Sequence, residues 1–394
     1  MDWKDEKVLI TGGSGFLGAN LIHFLVAEKH VPQRSVRSFA HRQSHALDDL
    51  PGVEQRLADI LDLKAVTEAC ADRTLVFHTA GSTTFDPRLR KQQWLVNVEG
   101  TRNVLEAVSA SRTVRRLCHT STVNVLGCPS PAGSHGTEET CNPYTSRPRL
   151  HSFASAAEAL ALADAVHAGC APRDWWKRVR IGYFSSKLAA QELVNRAALG
   201  GLDVVSVLPG TFFGPYDEFF GPSAFLLAIL HNAIRAAPRG GLPLAHVHDI
   251  ARGHVLAVEK GRPGSVYIVS GKAEDNRPYR DMFRIIAEAL RQKEPHRAIA
   301  TAFPIIPPAA ALAAAAVVQA WAALRQKPAA LSIPAARASA HLFFYSSGKA
   351  ERELGYVAER RFREGVEEMY ASMKGGGATH EGVSRGRSWG GAPR

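Results

Sequence analysis

Apolar positions along the chain fall into short runs, separated by stretches with helical spacing. Residues 8–10 are an apolar triplet running into glycines, which predicts a buried parallel strand. A helix is predicted over 19–28 and a second strand over Val36–Ala40, in spite of Arg37 within it. Residues 53–57 read as another strand. Leu75–His78 and residues 116–119 predict two more, each preceded by a helical stretch, at 63–69 and 101–110. Residues 204–208 predict a strand that follows a helix carrying Lys187. Strands alternating with helices predict an α/β fold built on a doubly wound parallel sheet.

Past Pro209 the pattern loosens. Residues 225–236 and 278–290 predict helices, and 265–269 predicts one more strand. The expected organisation is a dinucleotide-binding domain over 1–210, with a returning segment at 245–272, and a smaller, mainly substrate-binding lobe over 211–374. Residues 143–180 interrupt the first domain as an insertion with an Ala-rich stretch followed by Asp174-Trp175-Trp176-Lys177-Arg178. Residues 303–324 are almost wholly apolar. They are expected to form a buried or interdomain helix, with an interfacial membrane contact as the alternative. A full span is disfavoured, because it takes ~20 strongly apolar residues and alanine is only weakly so. Residues 375–394, rich in Gly, Ser and Arg, predict a disordered tail.

Composition is that of a soluble globular protein, at 45% hydrophobic and 22% charged residues over 394 positions. The formal charge of +11 is less ordinary. No Lys/Arg run or nucleic-acid motif accompanies it, so nucleic acid is not an expected partner. The charge reads as a solvated surface, with anionic lipid as the other partner it would suit. Cys70, Cys118, Cys128, Cys141 and Cys170 are odd in number and scattered, which argues against a disulfide framework and for a reducing compartment. With no room for a signal peptide before the first strand, a cytoplasmic protein is expected, membrane-associated if residues 303–324 touch lipid. The pairs His246/His248 and His41/His45 lack a third ligand, so no metal is expected.

The first strand runs into Thr11-Gly12-Gly13-Ser14-Gly15-Phe16-Leu17-Gly18. Gly12 permits a tight turn, Gly15 lets backbone approach a pyrophosphate, and Gly18 allows close helix–strand packing. The N–H groups opening the next helix then face the phosphates. Where an NAD site usually places an acid after the second strand, this chain reads Phe39-Ala40-His41-Arg42-Gln43-Ser44. Arg42 can pair with a 2′-phosphate, which favours NADP, with NAD as the alternative; Arg37 is the less apt partner because it lies within the strand. Asp59, with Ile60 after it, could accept from an adenine amino group or simply cap a helix.

Tyr183 and Lys187 are four residues apart on one helix face. A nearby cation lowers a phenol's pKa by ~1–3 units and fits it for proton transfer as hydride moves at carbon. Thr122, or alternatively Ser121, at a strand's C-terminal end supplies a hydroxyl for the substrate oxygen.

These residues resemble the extended short-chain dehydrogenase/reductases over most of the chain. Thr11 to Gly18 carry Thr-Gly-x-x-Gly-x-x-Gly. His78-Thr79-Ala80-Gly81 and Asn97-Val98-Glu99-Gly100-Thr101 are similar to two further motifs of that family, as is Val247-His248-Asp249-Ile250-Ala251. The resemblance implies catalytic roles for Thr122, Tyr183, Lys187 and Asn97. It implies cofactor contacts at Thr11, Gly12, Gly15, Phe16, Leu17, Gly18, Thr79, Ala80, Gly81, Tyr183, Lys187 and Pro209, where Pro209-Gly210 approaches the nicotinamide amide. It also implies a possible homodimer. Asn97 to Leu105 and Ser346 to Tyr356 resemble the branch of dihydroflavonol reductases and 3-beta-hydroxysteroid dehydrogenases. The expectation is an NADP-dependent oxidoreductase on a ketone, aldehyde or secondary alcohol of a fairly apolar small molecule. A nucleotide-sugar epimerase or dehydratase, with Arg235, Arg239 and Arg277 as its diphosphate clamp, is the first alternative, and a non-catalytic NAD(P)-binding protein the second. Leu126, where the family has Tyr, and the long insertion depart from the pattern.

Overall fold

A computed structural model of the chain describes residues 1–129, 133–141, 182–218, 221–325, 329 and 331–375. The insertion at 143–180 and the tail beyond residue 375 lie outside the described residues. Among the described residues, ten strands follow in chain order: β1 Val8–Thr11, β2 Val36–Ala40, β3 Glu54–Leu57, β4 Leu75–His78, β5 Arg116–Thr120, β6 Val204–Pro209, β7 Thr211–Phe213, β8 Gly241–His246, β9 Val266–Val269 and β10 Asn276–Pro278. Seven form one parallel sheet in the order β3-β2-β1-β4-β5-β6-β9, and three form a small sheet, β10-β8-β7.

The large sheet is buried on both faces, which is why β1 and β4 read as unbroken apolar runs. Val8, Ile10, Phe77, Cys118 and Val205 face the helices Phe16–Ala27 and Val247–Lys260. Their neighbours in sequence, Leu9, Val76, Leu117 and Val204, face Leu63–Cys70, Gly100–Ala110 and Gly182–Leu199. The chain order reverses between β1 and β4, and ligands bind at the strand ends beside such a reversal.

Segment 245–272 returns to this sheet as a helix and β9. Gly348–Leu354 comes back as well: Ala350, Leu354 and Tyr356 join the core under β1, although the sequence places them in the second lobe. The second lobe has its own core, where Phe213, Leu226, Ile229, Leu244, Phe283, Ile286 and Phe303 pack together.

Two predicted helices differ from those observed. The helix expected over 225–236 is Ser223–Leu230. It stops because Asn232 turns left-handed at φ 51°, where its side chain donates to Ala298 O at 2.6 Å and accepts from Ala300 N at 2.8 Å. A short polar side chain tolerates that conformation better than most. The apolar stretch 303–324 becomes the helix Pro308–Leu324, and it is not buried as expected. Only Ala311, Ala315 and Ala322 are covered, whereas Val317, Trp321 and Leu324 are 70%, 56% and 80% exposed. One narrow alanine stripe suffices to seat the helix beside Ile333–Ala338, where Gln319 Oε1 accepts from Ile333 N at 3.1 Å. No helix among the described residues is long and apolar enough to cross a membrane.

Candidate active site

The turn after β1 is closed by backbone. Gly12 sits at φ +73° and donates to Phe39 O at 2.7 Å. A Cβ on Gly12 would lie 2.7 Å from the backbone of Ala80, and one on Gly18 would lie 2.2 Å from Gly12 O. Both positions therefore need glycine: Gly12 for the turn beside the end of β4, Gly18 for the approach of helix to strand. Gly13, which the sequence reading passed over, is just as tight against Ser38. At Gly15 a Cβ would meet only Gly12 O, at 3.1 Å. Gly15 begins the helix Phe16–Ala27 with no side chain capping it, so the first N–H groups stay available to an anion. This cradle fits a dinucleotide pyrophosphate.

Thr11 lies beneath the cradle rather than in it. Its hydroxyl bonds His78 Nδ1 at 2.8 Å and its carbonyl accepts from Thr79 N and Oγ1. Phe16 packs on Phe212 with ring centroids 5.1 Å apart, and Leu17 is buried in the core. Gly81 closes the end of β4, where a Cβ would lie 3.2 Å from both Asn97 Oδ1 and Lys187 Nζ. Pro209 ends β6, and Gly210 beyond it donates to Val269 O at 3.0 Å.

Arg42 stands in the loop after β2, half-buried. Desolvation lowers its pKa, and the carboxylate of Glu218 opposes that shift. Glu218, over 170 positions away in sequence, also accepts from Ser44 Oγ at 3.1 Å, and no motif announced it. Arg37 is held elsewhere, donating to Glu54 at 2.7 Å and to Ala69 O at 2.9 Å. Asp59 is exposed and accepts from Leu61 N at 3.0 Å, while the helix after it is capped by Asp62 instead. Ile60 is buried, packed close to Gly100.

Tyr183 and Lys187 project from Gly182–Leu199 toward the end of β5. The phenol lies near the Thr122 side chain, which lowers its pKa and whose hydroxyl accepts from Asn124 Nδ2 at 3.1 Å. Ser121 is buried, and its hydroxyl has no partner among the described residues. Lys187 Nζ donates to Thr120 O at 2.9 Å. Asn97 occupies a widened π turn, Leu95–Glu99, of the kind found at functional sites. Its side chain grips Ser82 through both amide atoms, at 2.7 and 3.0 Å, and donates to Ser186 Oγ at 2.9 Å. Ser186, between the two catalytic candidates, was invisible as a functional position; it ties Asn97 to their helix.

The electrostatics differ from the expectation that Lys187 lowers the phenol. Desolvation pushes Tyr183 up to about 12, and the Thr122 side chain only partly offsets it. Burial likewise lowers Lys187 to about 8, and its ammonium turns to a backbone carbonyl rather than to the phenol. Aromatic rings border the phenol: Phe85 lies 5.7 Å from Tyr183 and 5.9 Å from Phe184, centroid to centroid. No cluster of metal-ligating side chains occurs among the described residues.

The model of the 3-beta hydroxysteroid dehydrogenase/isomerase family matches residues 9–167. Sterol demethylase protein B of Methylococcus capsulatus is 29% identical over 269 residues, 67% of this chain and 69% of that protein. A 4-hydroxy-2-methyl-3-oxo-4-farnesyl-3,4-dihydroquinoline-1-oxide ketoreductase of Stigmatella aurantiaca is 28% identical over 379 residues, 92% of this chain and 95% of that one. The structure of a dTDP-glucose 4,6-dehydratase double mutant from Streptomyces venezuelae, with NAD bound, has a TM-score of 0.65 at 20% identity and covers 93% of this chain and 96% of that one. Fold, site and relatives together define an NAD(P)-dependent dehydrogenase or reductase. The chain is similar to the extended short-chain dehydrogenase/reductases over most of its length.

Burial of Lys187 carries a pH signature. The unfolded chain holds this proton up to about 10.5 and the folded chain only to about 8, so the site opposes folding at neutral pH and the opposition fades between those values. Lys187→Met should therefore raise unfolding stability at pH 7 by roughly 3 kcal/mol. The gain should shrink as pH rises from 8 to 10.5, read by urea melts across pH. A gain independent of pH would show that the ammonium is not the cause.

Proposed function

We propose that the protein is an NADP-dependent oxidoreductase that interconverts a ketone or aldehyde with the corresponding alcohol on a fairly apolar small molecule. The observation that carries this reading is that Tyr183 comes close enough to Thr122, just past the end of β5, for that side chain to lower the phenol's pKa, one helical turn from Lys187. Two hydroxyls set against each other can hold one substrate oxygen between them. With its pKa near 12 the phenol is protonated at neutral pH, so Tyr183 is ready to donate as the carbonyl oxygen gains charge. Reduction is the direction this favours. Reduced NADP supplies the hydride when bound. Lys187 steadies the site electrostatically, and Asn97 positions Ser82 and the catalytic helix.

An apolar substrate is supported by Phe85, Phe184 and Phe343 in edge contacts beside the phenol. Two relatives, sterol demethylase protein B and a ketoreductase of a farnesylated dihydroquinoline oxide, are named for apolar substrates. A sugar-nucleotide epimerase is less favoured, because Arg277 is engaged by Asp275 at 3.3 Å and Arg235 and Arg239 are exposed. Tyr183→Phe should abolish ketone reduction while leaving NADPH affinity within about twofold, by fluorescence titration. Turnover of NDP-sugars in place of ketones would overturn the substrate class.

The nucleotide preference rests on Arg42. A guanidinium–phosphate contact contributes about 1.5–3 kcal/mol, or roughly tenfold to a hundredfold in affinity. Arg42→Ala should weaken NADPH by that factor and leave NADH nearly unchanged. Equal losses for both would remove the case for NADP.

We further assign the exposed face of Pro308–Leu324 to the surface of an anionic bilayer. The helix carries no charged residue, and Arg325 stacks over the exposed Trp321 at 4.2 Å, an apolar anchor beside a cation. The protein should co-sediment with phosphatidylglycerol-containing vesicles and show a blue-shifted tryptophan emission that Trp321→Ser reduces. Full recovery in the supernatant would refute the assignment.

A further inference from the structure

A small cavity adjoins the phenol. Phe85, Asp86, Arg90, Gln93, Gly182 and Pro334 line it, and it encloses about 60 Å³. That space holds a few waters or one small polar group, not a whole apolar substrate. Phe85 also packs beside Tyr183, with ring centroids 5.7 Å apart, so the cavity and the phenol share a wall. Pro334 comes from the second lobe, where Ser332 Oγ donates to Phe85 O at 3.0 Å and ties the lobe to that wall. Neither the glycines of the pyrophosphate cradle nor Arg42 borders the cavity. It therefore belongs to the substrate side of the site.

Two charged side chains line it, and they differ. Asp86 is already matched. Arg88, two residues on, donates to it from Nε at 3.0 Å and from Nη2 at 2.6 Å, and the Arg88 backbone N–H adds a bond at 3.0 Å. These contacts hold the Asp86 carboxyl below the usual carboxylate range. Arg90 is not matched. Its guanidinium has no hydrogen bond or ion pair among the described residues, although the side chain is half-buried. Its stem lies against the start of the catalytic helix: a Cβ on Gly182 would come within 3.1 Å of Arg90 Cγ and 3.0 Å of Gln93 Oε1. Gln93 is fixed in turn, donating to Thr84 O at 2.7 Å and Ser82 O at 3.1 Å.

A guanidinium partly withdrawn from water is unfavourable without an anion, and its planar fork matches a carboxylate through two parallel hydrogen bonds. We propose that Arg90 selects substrates that carry a carboxylate on an otherwise apolar body, seating that group in the cavity while Tyr183 and Thr122 take the carbonyl oxygen. The proposal rests on the reductase reading above and narrows its substrate to an apolar keto acid. One cation suits one negative charge. A diphosphate would need further cations, and Arg90 is the only unmatched one lining the cavity among the described residues.

Binding tests the site without turnover. The full chain, with NADP present, is titrated calorimetrically with 4-phenylbutanoate and with its neutral amide. The acid should bind about ten to a hundred times tighter, the range of a charge-assisted contact. Arg90→Gln should remove that preference and Arg90→Lys should restore part of it, with thermal melts confirming that both fold. Equal affinity for acid and amide in the wild type, binding of neither, or an unchanged preference in Arg90→Gln would overturn the proposal. So would UDP binding tighter than the acid and weakened by Arg90→Gln, which would give the cation to a diphosphate. Kinetics with 4-oxo-4-phenylbutanoate then test specificity: Arg90→Gln should raise KM by the same factor and leave kcat within about twofold. Wild-type protein that prefers the acid in binding but reduces no keto acid and no ketone would count against the reductase reading and leave the carboxylate site standing.

Discussion

The Lys187 ammonium, donating to the carbonyl of Thr120, ties the Gly182–Leu199 helix to the end of β5 and sets where its side chains stand. Burying an ammonium is unfavourable, and the depressed pKa of Lys187 shows that the carbonyl does not fully compensate. The position is kept in place by what surrounds it. Asn97 clamps Ser82 and reaches Ser186, one residue before Lys187, and Ser186 Oγ in turn donates to Tyr183 O at 2.9 Å. The strand end after β4 must be small there, since a side chain at Gly81 would collide with both Asn97 and Lys187. The register of β4 with β5 then decides where Thr122 meets Tyr183. Were Lys187 to swing away, the helix would lose its only charge-assisted tie to β5 among the described residues, and the hydroxyl pair would drift apart.

The large sheet was legible because parallel strands buried on both faces leave unbroken apolar runs between polar helices. β2 and β4 fall where periodicity puts them, Arg37 included, because its guanidinium leaves the strand to pair with Glu54. The glycine turn was legible because Gly12 and Gly18 each meet backbone that no other residue could approach. Periodicity could not locate the end of the helix at Leu230, which Asn232 sets through bonds to residues 298 and 300. Nor could hydropathy say how residues 308–324 pack, since an alanine-rich helix needs cover along one stripe only.

The structure brings together those candidates that have a fixed spacing or a strand-end position: Tyr183, Lys187, Thr122 and Asn97. Those missed act through tertiary neighbours. Ser186 lacks any pattern of its own, and Glu218 reaches Arg42 from a distant loop. The pKa of Tyr183 was misjudged for the same reason. Spacing on a helix brings an ammonium near a phenol, but it does not say which acceptor the ammonium chooses, and a backbone carbonyl at 2.9 Å is the choice made here.

Glu218 changes what Arg42 implies. A lone arginine after β2 would be a simple invitation to a 2′-phosphate, whereas a carboxylate beside it supplies a competing partner within the protein. A phosphate bound at Arg42 would have to compete with that carboxylate for the guanidinium, so a preference for NADP over NAD, if the site has one, would be set by the difference between the two interactions and not by the guanidinium alone. The same carboxylate would repel a 2′-phosphate that approached without engaging Arg42.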